Sequence, residues 1–183
     1  SDLLHPCQVL ADLQTIRESK GDLSGLKLAY VGDGNNMAHS LLYGGVKMGM
    51  TVSVSHPPGY APDTGVVARS KEIAEETGGG VQITENPQEG VADADVVYTD
   101  VWASMGQEEE RQERLARFDG YCVDADLMGC ADKEAIFLHC LPAHRGEEVA
   151  ASVIDGPQSR VFDEAENRLH AQKSLMVSLM GDA

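Results

Sequence analysis

Short apolar runs alternate with amphipathic stretches along the whole chain. The segments "LKLAYVGDG" (26–34), "TVSVSHP" (51–57), "VQITEN" (81–86), "ADVVYTD" (94–100) and the run from Ala135 to Cys140 are aliphatic, often β-branched, and stop at glycine, proline or polar residues. That pattern predicts five strands. Between them, apolar positions recur at helical spacing. An opening helix starts near Pro6, carries Val9, Leu13 and Ile16 on one face, and ends at Gly21 and Gly25. "NNMAHSLLYGGVKMG" (35–49) reads as a helix weakened by Gly44 and Gly45, followed by helices over 66–76 and 87–93 and a very polar one over 108–117. "GEEVAASVID" (146–155) and "DEAENRLHAQKSLMVSLM" (163–180) close the chain as helices.

Strands alternating with helices imply parallel pairing through right-handed crossovers. The predicted fold class is therefore α/β: a doubly wound, Rossmann-like, five-stranded parallel sheet of order 3-2-1-4-5, with helices on both faces. In that order the topology reverses between strands 1 and 4, and open α/β sheets bind ligands in the crevice there. The carboxyl ends of strands 1, 4 and 5 carry Gly32-Asp33-Gly34-Asn35-Asn36, Thr99-Asp100-Val101-Trp102 and His139-Cys140-Leu141-Pro142. Three polar clusters thus converge on one place.

Their chemistry narrows the ligand. "VGDGNNM" begins like a dinucleotide fingerprint, but Met37 stands where a third glycine belongs, and "SVSHPPG" lacks the acidic residue that holds a ribose. A nicotinamide enzyme is a weak second choice. The Asn35-Asn36 pair offers amide donors and acceptors for a carboxylate and an amine, although one asparagine reads equally well as a helix N-cap. Asp100 is either a loop cap or an anion for a substrate ammonium. Cys140 alone would pass for a small buried hydrophobe. A neighbouring Asp100 would raise its thiol pKa, which argues against a cysteine nucleophile. His139 should point to the opposite side of the strand from Cys140.

Bulk composition removes other classes. The net charge of −16 repels nucleic acid and anionic membranes. No apolar run approaches the roughly 18 residues of a membrane span. The "SDLLHPCQVLADLQTIRESK" start is too charged for a signal peptide. Cys7, Cys122, Cys130 and Cys140 form no C-x-x-C pair and no metal-ligand spacing with the histidines. We therefore expect neither disulfides, metal nor organic cofactor, and a reducing cytoplasmic setting.

Taken together, the motifs resemble those of the ornithine carbamoyltransferases. "HPCQ" (5–8), "GDGNN" (32–36), "DVWASMGQE" (100–108), "HCLP" (139–142) and "ENRLHAQK" (166–173) stand in that family's order. The resemblance implies that Asn36, Asp100, Ser104 and Met105 bind ornithine. It places Cys140 and Leu141 where the two substrates meet, with Cys140 helping to receive a proton from the ornithine side-chain ammonium. It implies that His5, Gln8 and Arg168 contact carbamoyl phosphate, His5 and Arg168 polarising its carbonyl. On the residues alone, His5 and Gln8 read as decoration of a helix start and Arg168 as a helix-surface charge. The family's S-T-R-T phosphate motif does not occur in these 183 residues. The match then covers an ornithine-binding second domain (1–183), with 1–20 as an interdomain linking helix and 163–183 as a C-terminal helix. The parent would be a homotrimer or a multiple of trimers. A catalytically silent amino-acid-binding module and a transferase for an amine such as putrescine are the alternatives. The resemblance further implies a cis Leu141–Pro142 peptide, and a lid over 103–110 is expected to be poorly ordered without ligand. Apolar faces on both terminal helices (Val9, Leu13, Ile16; Leu169, Leu175, Met176, Leu179) are expected to be exposed.

Overall fold

Five parallel strands form one sheet of order β3-β2-β1-β4-β5, as the alternation predicts. The computed structural model describes residues 1–103 and 111–181. The strands are β1 (Lys27–Val31), β2 (Thr51–Ser55), β3 (Gly80–Thr84), β4 (Val96–Thr99) and β5 (Ile136–His139). The helices are α1 (Pro6–Lys20), α2 (Asn36–Lys47), α3 (Thr64–Thr77), α4 (Pro87–Val91), α5 (Arg111–Arg117), α6 (Ala125–Met128), α7 (Ala151–Ile154) and α8 (Val161–Met180). Three strands end in one register row: Val31 pairs with Thr99, and Thr99 with His139. The residues that follow therefore leave the sheet side by side.

The two-residue period of the strands divides the core. Leu28, Tyr30, Val96, Tyr98, Ile136 and Leu138 face α1, α2 and α3. Ala29, Val31, Val97 and Phe137 face the other layer, with Trp102, Phe118, Val123, Leu127 and Val149. Each fully buried aliphatic side chain contributes about 1.5–3 kcal/mol. Gly44 and Gly45 weaken α2 by propensity but are required by packing. A Cβ on Gly44 would lie 2.3 Å from Cγ1 of Val9, and one on Gly45 2.4 Å from Cγ2 of Val52. Helix propensity yields here to close approach of α1 and β2.

Three local expectations are corrected. The helix over 146–155 shrinks to α7. Gly146 has φ +88°, and its N–H bonds to the Val149 carbonyl at 2.8 Å, so residues 146–148 form a turn that ends where Val149 bridges to Val123 and Arg145. Helix α6 is additional; Asp124 caps it by accepting from the Leu127 N–H at 2.9 Å. Val9 and Ile16 are buried in the chain's own core rather than exposed. On α8 the expectation holds for Leu169, Met176 and Leu179, which are exposed, while Leu175 is half-buried. The Leu141–Pro142 peptide is cis. The lid expected over 103–110 lies, apart from Ala103, outside the described residues, as do Ser104 and Met105.

Candidate active site

The crevice between β1 and β4 is built around Asp100. Its Oδ2 accepts from Nδ2 of Asn35 at 3.0 Å, and its Oδ1 accepts from the Cys140 thiol at 3.1 Å and from the Val101 N–H at 2.8 Å. Asn35 is also the N-cap of α2: its Oδ1 accepts from the N–H groups of Met37 and Ala38 at 2.9 and 3.2 Å. One side chain thus closes the helix start and orients the central carboxylate. Asn36 lies one step further out, donating through Nδ2 to the Ser1 carbonyl at 2.9 Å.

Burial first, and then the Asp100 charge, push the Cys140 thiol well above its ordinary value. Cys140 is accordingly a proton donor to Asp100 and not a thiolate. His139 points the other way, as the strand period requires. Its Nδ1 accepts the Leu141 N–H at 2.8 Å, so the proton is on Nε2, which faces Oε1 of the fully buried Glu148 at 3.2 Å. This bond holds Leu141 at φ +54°, a left-handed conformation costly for a side chain with Cβ. Ligand atoms of Asp100, His139 and Cys140 lie within 4.8 Å of one another, yet both His139 nitrogens are engaged and leave nothing to offer a metal ion.

The remaining candidates stand beside this group. His5 is half-buried at the N-cap of α1 and its N–H donates to Oγ of Ser40 at 2.7 Å. Burial, aided by the Arg168 guanidinium and the N-terminal ammonium, lowers its imidazole pKa against the pull of Asp100. Gln8 is buried, and its Oε1 accepts from the Arg168 guanidinium at 2.6 Å across the α1–α8 interface. Arg168 is held a second time by Gln172 at 2.9 Å. Neither residue is surface decoration.

Two features were not read from the sequence. Arg114, in the polar stretch, is buried; it pairs with Asp33 at 2.6 Å, donates to the Trp102 carbonyl at 3.0 Å, and lies 5.2 Å from the Tyr60 ring centroid. Asp12 and Glu164 are buried carboxyls facing each other between α1 and α8. Their signal was present: Gln8, Asp12 and Thr15 on one helix, and Glu164, Asn167 and Arg168 on the other, are polar residues at helical spacing.

Fold and site together define a doubly wound α/β domain with its polar cluster at the ligand-binding switch point. Residues 24–179 match the model of the aspartate/ornithine carbamoyltransferase family, Asp/Orn binding domain. The chain belongs to this family. It is 63% identical to the ornithine carbamoyltransferase of Symbiobacterium thermophilum over 98% of its own length and 58% of that relative's. It is 60% identical to the same-named protein of Gloeobacter violaceus, over 99% of its length and again 58% of the relative. The solved ornithine carbamoyltransferase from Pyrococcus furiosus superposes with TM-score 0.96 at 53% identity, over all of this chain and 58% of that one. The chain therefore spans under two thirds of the length of these relatives. No helix among the described residues is long and apolar enough to cross a membrane.

Proposed function

We propose that this chain is the ornithine-binding half of an ornithine carbamoyltransferase, which moves the carbamoyl group of carbamoyl phosphate to the side-chain amine of L-ornithine. The observation that carries this reading is the Asp100 carboxylate, held by Asn35 and the Cys140 thiol at the switch point, beside the Gln8–Arg168 pair. An anion next to amides suits a zwitterion that also carries a side-chain ammonium. The guanidinium suits a phosphorylated carbonyl compound. Ornithine's carboxylate and α-ammonium fall to Asn36, Asp100, Ser104 and Met105, and its side chain reaches towards Cys140 and Leu141. His5, Gln8 and Arg168 contact carbamoyl phosphate, whose phosphate is held mainly by a first domain of the longer parent.

The chemistry balances without a cofactor. The ornithine ammonium gives one proton to Sγ of Cys140 as the thiol passes its own to Asp100, leaving a neutral amine and a protonated Asp100. The amine lone pair attacks the carbonyl carbon, the C–N bond forms and the C–O bond to phosphate breaks. The second amine proton leaves with the phosphate, and Asp100 releases its proton to water. Proximity and a prearranged field supply most of the rate. His5 and Arg168 act on the oxygen where charge develops.

The test is a citrulline assay on the chain alone and joined to the remaining part of a longer relative, with calorimetric titration of ornithine, putrescine and aspartate. We expect turnover only in the joined protein. Misplacing the carbonyl from the roughly 3–3.5 Å attack distance forfeits on the order of 7–11 kcal/mol. Turnover by the chain alone, or tighter binding of putrescine than of ornithine, contradicts the reading.

A further inference from the structure

Between α1 and α8, under the floor of the crevice, two carboxyl groups share one small space. Gln8 Nε2 lies 2.8 Å from Oδ1 of Asp12 and 2.8 Å from Oε1 of Glu164. The Tyr98 hydroxyl reaches the same two oxygens at 3.4 and 3.0 Å. Both acids are buried, at 0% and 1% exposure. The groups that face them are Gln8 from α1, Tyr98 from β4, the N–H and, further off, the imidazole of His139 at the end of β5, the Cys140 thiol just beyond it, and, through Gln8, Arg168 from α8. No cation touches either carboxyl among these. Two anions at this separation in a dry interior do not coexist, so one proton stays with the pair.

The donors say where it sits. Glu164 receives three: Gln8 and Tyr98 at Oε1, and the His139 N–H at Oε2 at 3.0 Å. That is the environment of an ionised acid. Oδ2 of Asp12 is buried and meets no donor, which is where a carboxylic O–H belongs. Burial raises the pKa of both acids and is the leading cause for each, as a pair that retains a proton requires.

We propose that Asp12 and Glu164 are positioning residues: a carboxylic acid–carboxylate pair that locks the Gln8 amide with its nitrogen inward and its oxygen outward, onto Arg168. An amide side chain can be turned over by a half-rotation about its last bond, and its partners decide which face shows. Here the carboxyl oxygens demand a donor and the guanidinium demands an acceptor, so both ends agree. The pair thereby fixes Arg168 without touching it, and it makes Gln8 present an acceptor to any ligand in the crevice. This rests on the proposed carbamoyl transfer for its kinetic reading but not for the shared proton.

The asymmetry of the pair gives the test. Asp12→Asn reproduces a protonated Asp12, with an oxygen for Gln8 and an N–H for Glu164, so it should conserve the lock. Glu164→Gln leaves one acceptor oxygen where two oxygens took three donors, and removes the anion, so the inward hold on the Gln8 nitrogen is weakened and its amide is free to turn N–H towards the guanidinium. In the joined enzyme described above we expect Glu164→Gln to raise KM for carbamoyl phosphate roughly tenfold or more, the loss of one charge-assisted hydrogen bond. Asp12→Asn should change it by less than about twofold. Ornithine binding to the 183-residue chain should survive in both variants. Infrared difference spectra of the unmodified chain in H₂O and D₂O should show the carbonyl stretch of a buried carboxylic acid at neutral pH, and Asp12→Asn should remove it. Equal kinetic damage from the two variants overturns the proposal, as does absence of the carboxylic-acid band. If the joined enzyme makes no citrulline at all, the functional reading fails, and the infrared arm, which needs no turnover, still decides the shared proton.

Discussion

Two groups of acids lie within one domain and are treated in opposite ways. At the crevice, Asp100 stands alone among three donors at the carboxyl end of β4. Beneath it, Asp12 and Glu164 sit between two helices with no opening, sharing donors with each other. The first arrangement surrounds one carboxyl with donors alone. The second suppresses a charge and uses the acids as fixed hydrogen-bonding parts. All three acids are buried, and what separates the two places is the company: donors only in one, a second acid in the other.

The largest effect that would break this comparison is at the mouth. Asp100→Asn, which keeps shape and removes the anion, should lower kcat in the joined enzyme by roughly 10²–10⁴-fold, the usual range for a positioned proton acceptor. A loss under about tenfold in a steady-state citrulline assay would place Asp100 with the structural acids. The next effect belongs to the buried pair. Folded Asp12 keeps a proton that it loses when unfolded above its ordinary value of 3.8. The folded state then binds more protons, so stability is greatest in acid as far as this group is concerned. It declines, as pH rises from about 4 towards the raised folded value, by about 1.4 kcal/mol per unit for one proton. Denaturant melts of the chain at several pH values should show that decline, and Asp12→Asn should flatten it. A slope unchanged by the substitution would show that Asp12 holds no proton.

Smaller effects sharpen the contrast. Asn35→Ala should cost about 0.5–2 kcal/mol of stability through the lost cap. It should also weaken ornithine binding, because the same side chain orients Asp100; titration calorimetry and urea melts on one sample separate the two. A change in stability with unaltered binding would make Asn35 a cap only. Least of all, Leu179→Ser on the exposed end of α8, where Leu179 is 75% exposed, should shift stability by no more than about 0.5 kcal/mol. A larger loss of chain stability would mean that the outer turns of α8 pack on this domain.

Much of this was legible in the pattern of residues, and the failures share a cause. Strand alternation and the runs ending at Gly32, Asp100 and Cys140 were enough to order the sheet and bring Asp100 to Cys140. The dinucleotide resemblance could be dismissed at Met37. The misreadings occurred where a distant partner outweighs local preference. "GEEV" has helical residues, yet Glu148 is drawn inward by His139 and by the His144 N–H, and Val149 pairs with Val123. Val9 and Ile16 have the pattern of a free linker face, whereas Gly44 lets α1 pack directly on α2 and they are buried. Asp12 and Glu164 escaped because a carboxylate in an amphipathic helix is ordinarily a solvated charge. Only the juxtaposition of α1 with α8 makes them interior.

The contact at Gly44 has a mechanical meaning. Val9 touches the α2 backbone with no side chain interposed, so α1 has no soft layer on which to slide or roll. Helix α1 carries His5 and Gln8, and through Gln8 it fixes Arg168; the strands carry Asp100 and Cys140. These groups therefore share one frame of reference. The spacing from Gln8 to Cys140 is accordingly set inside this domain, by bare backbone packing at one end and strand register at the other.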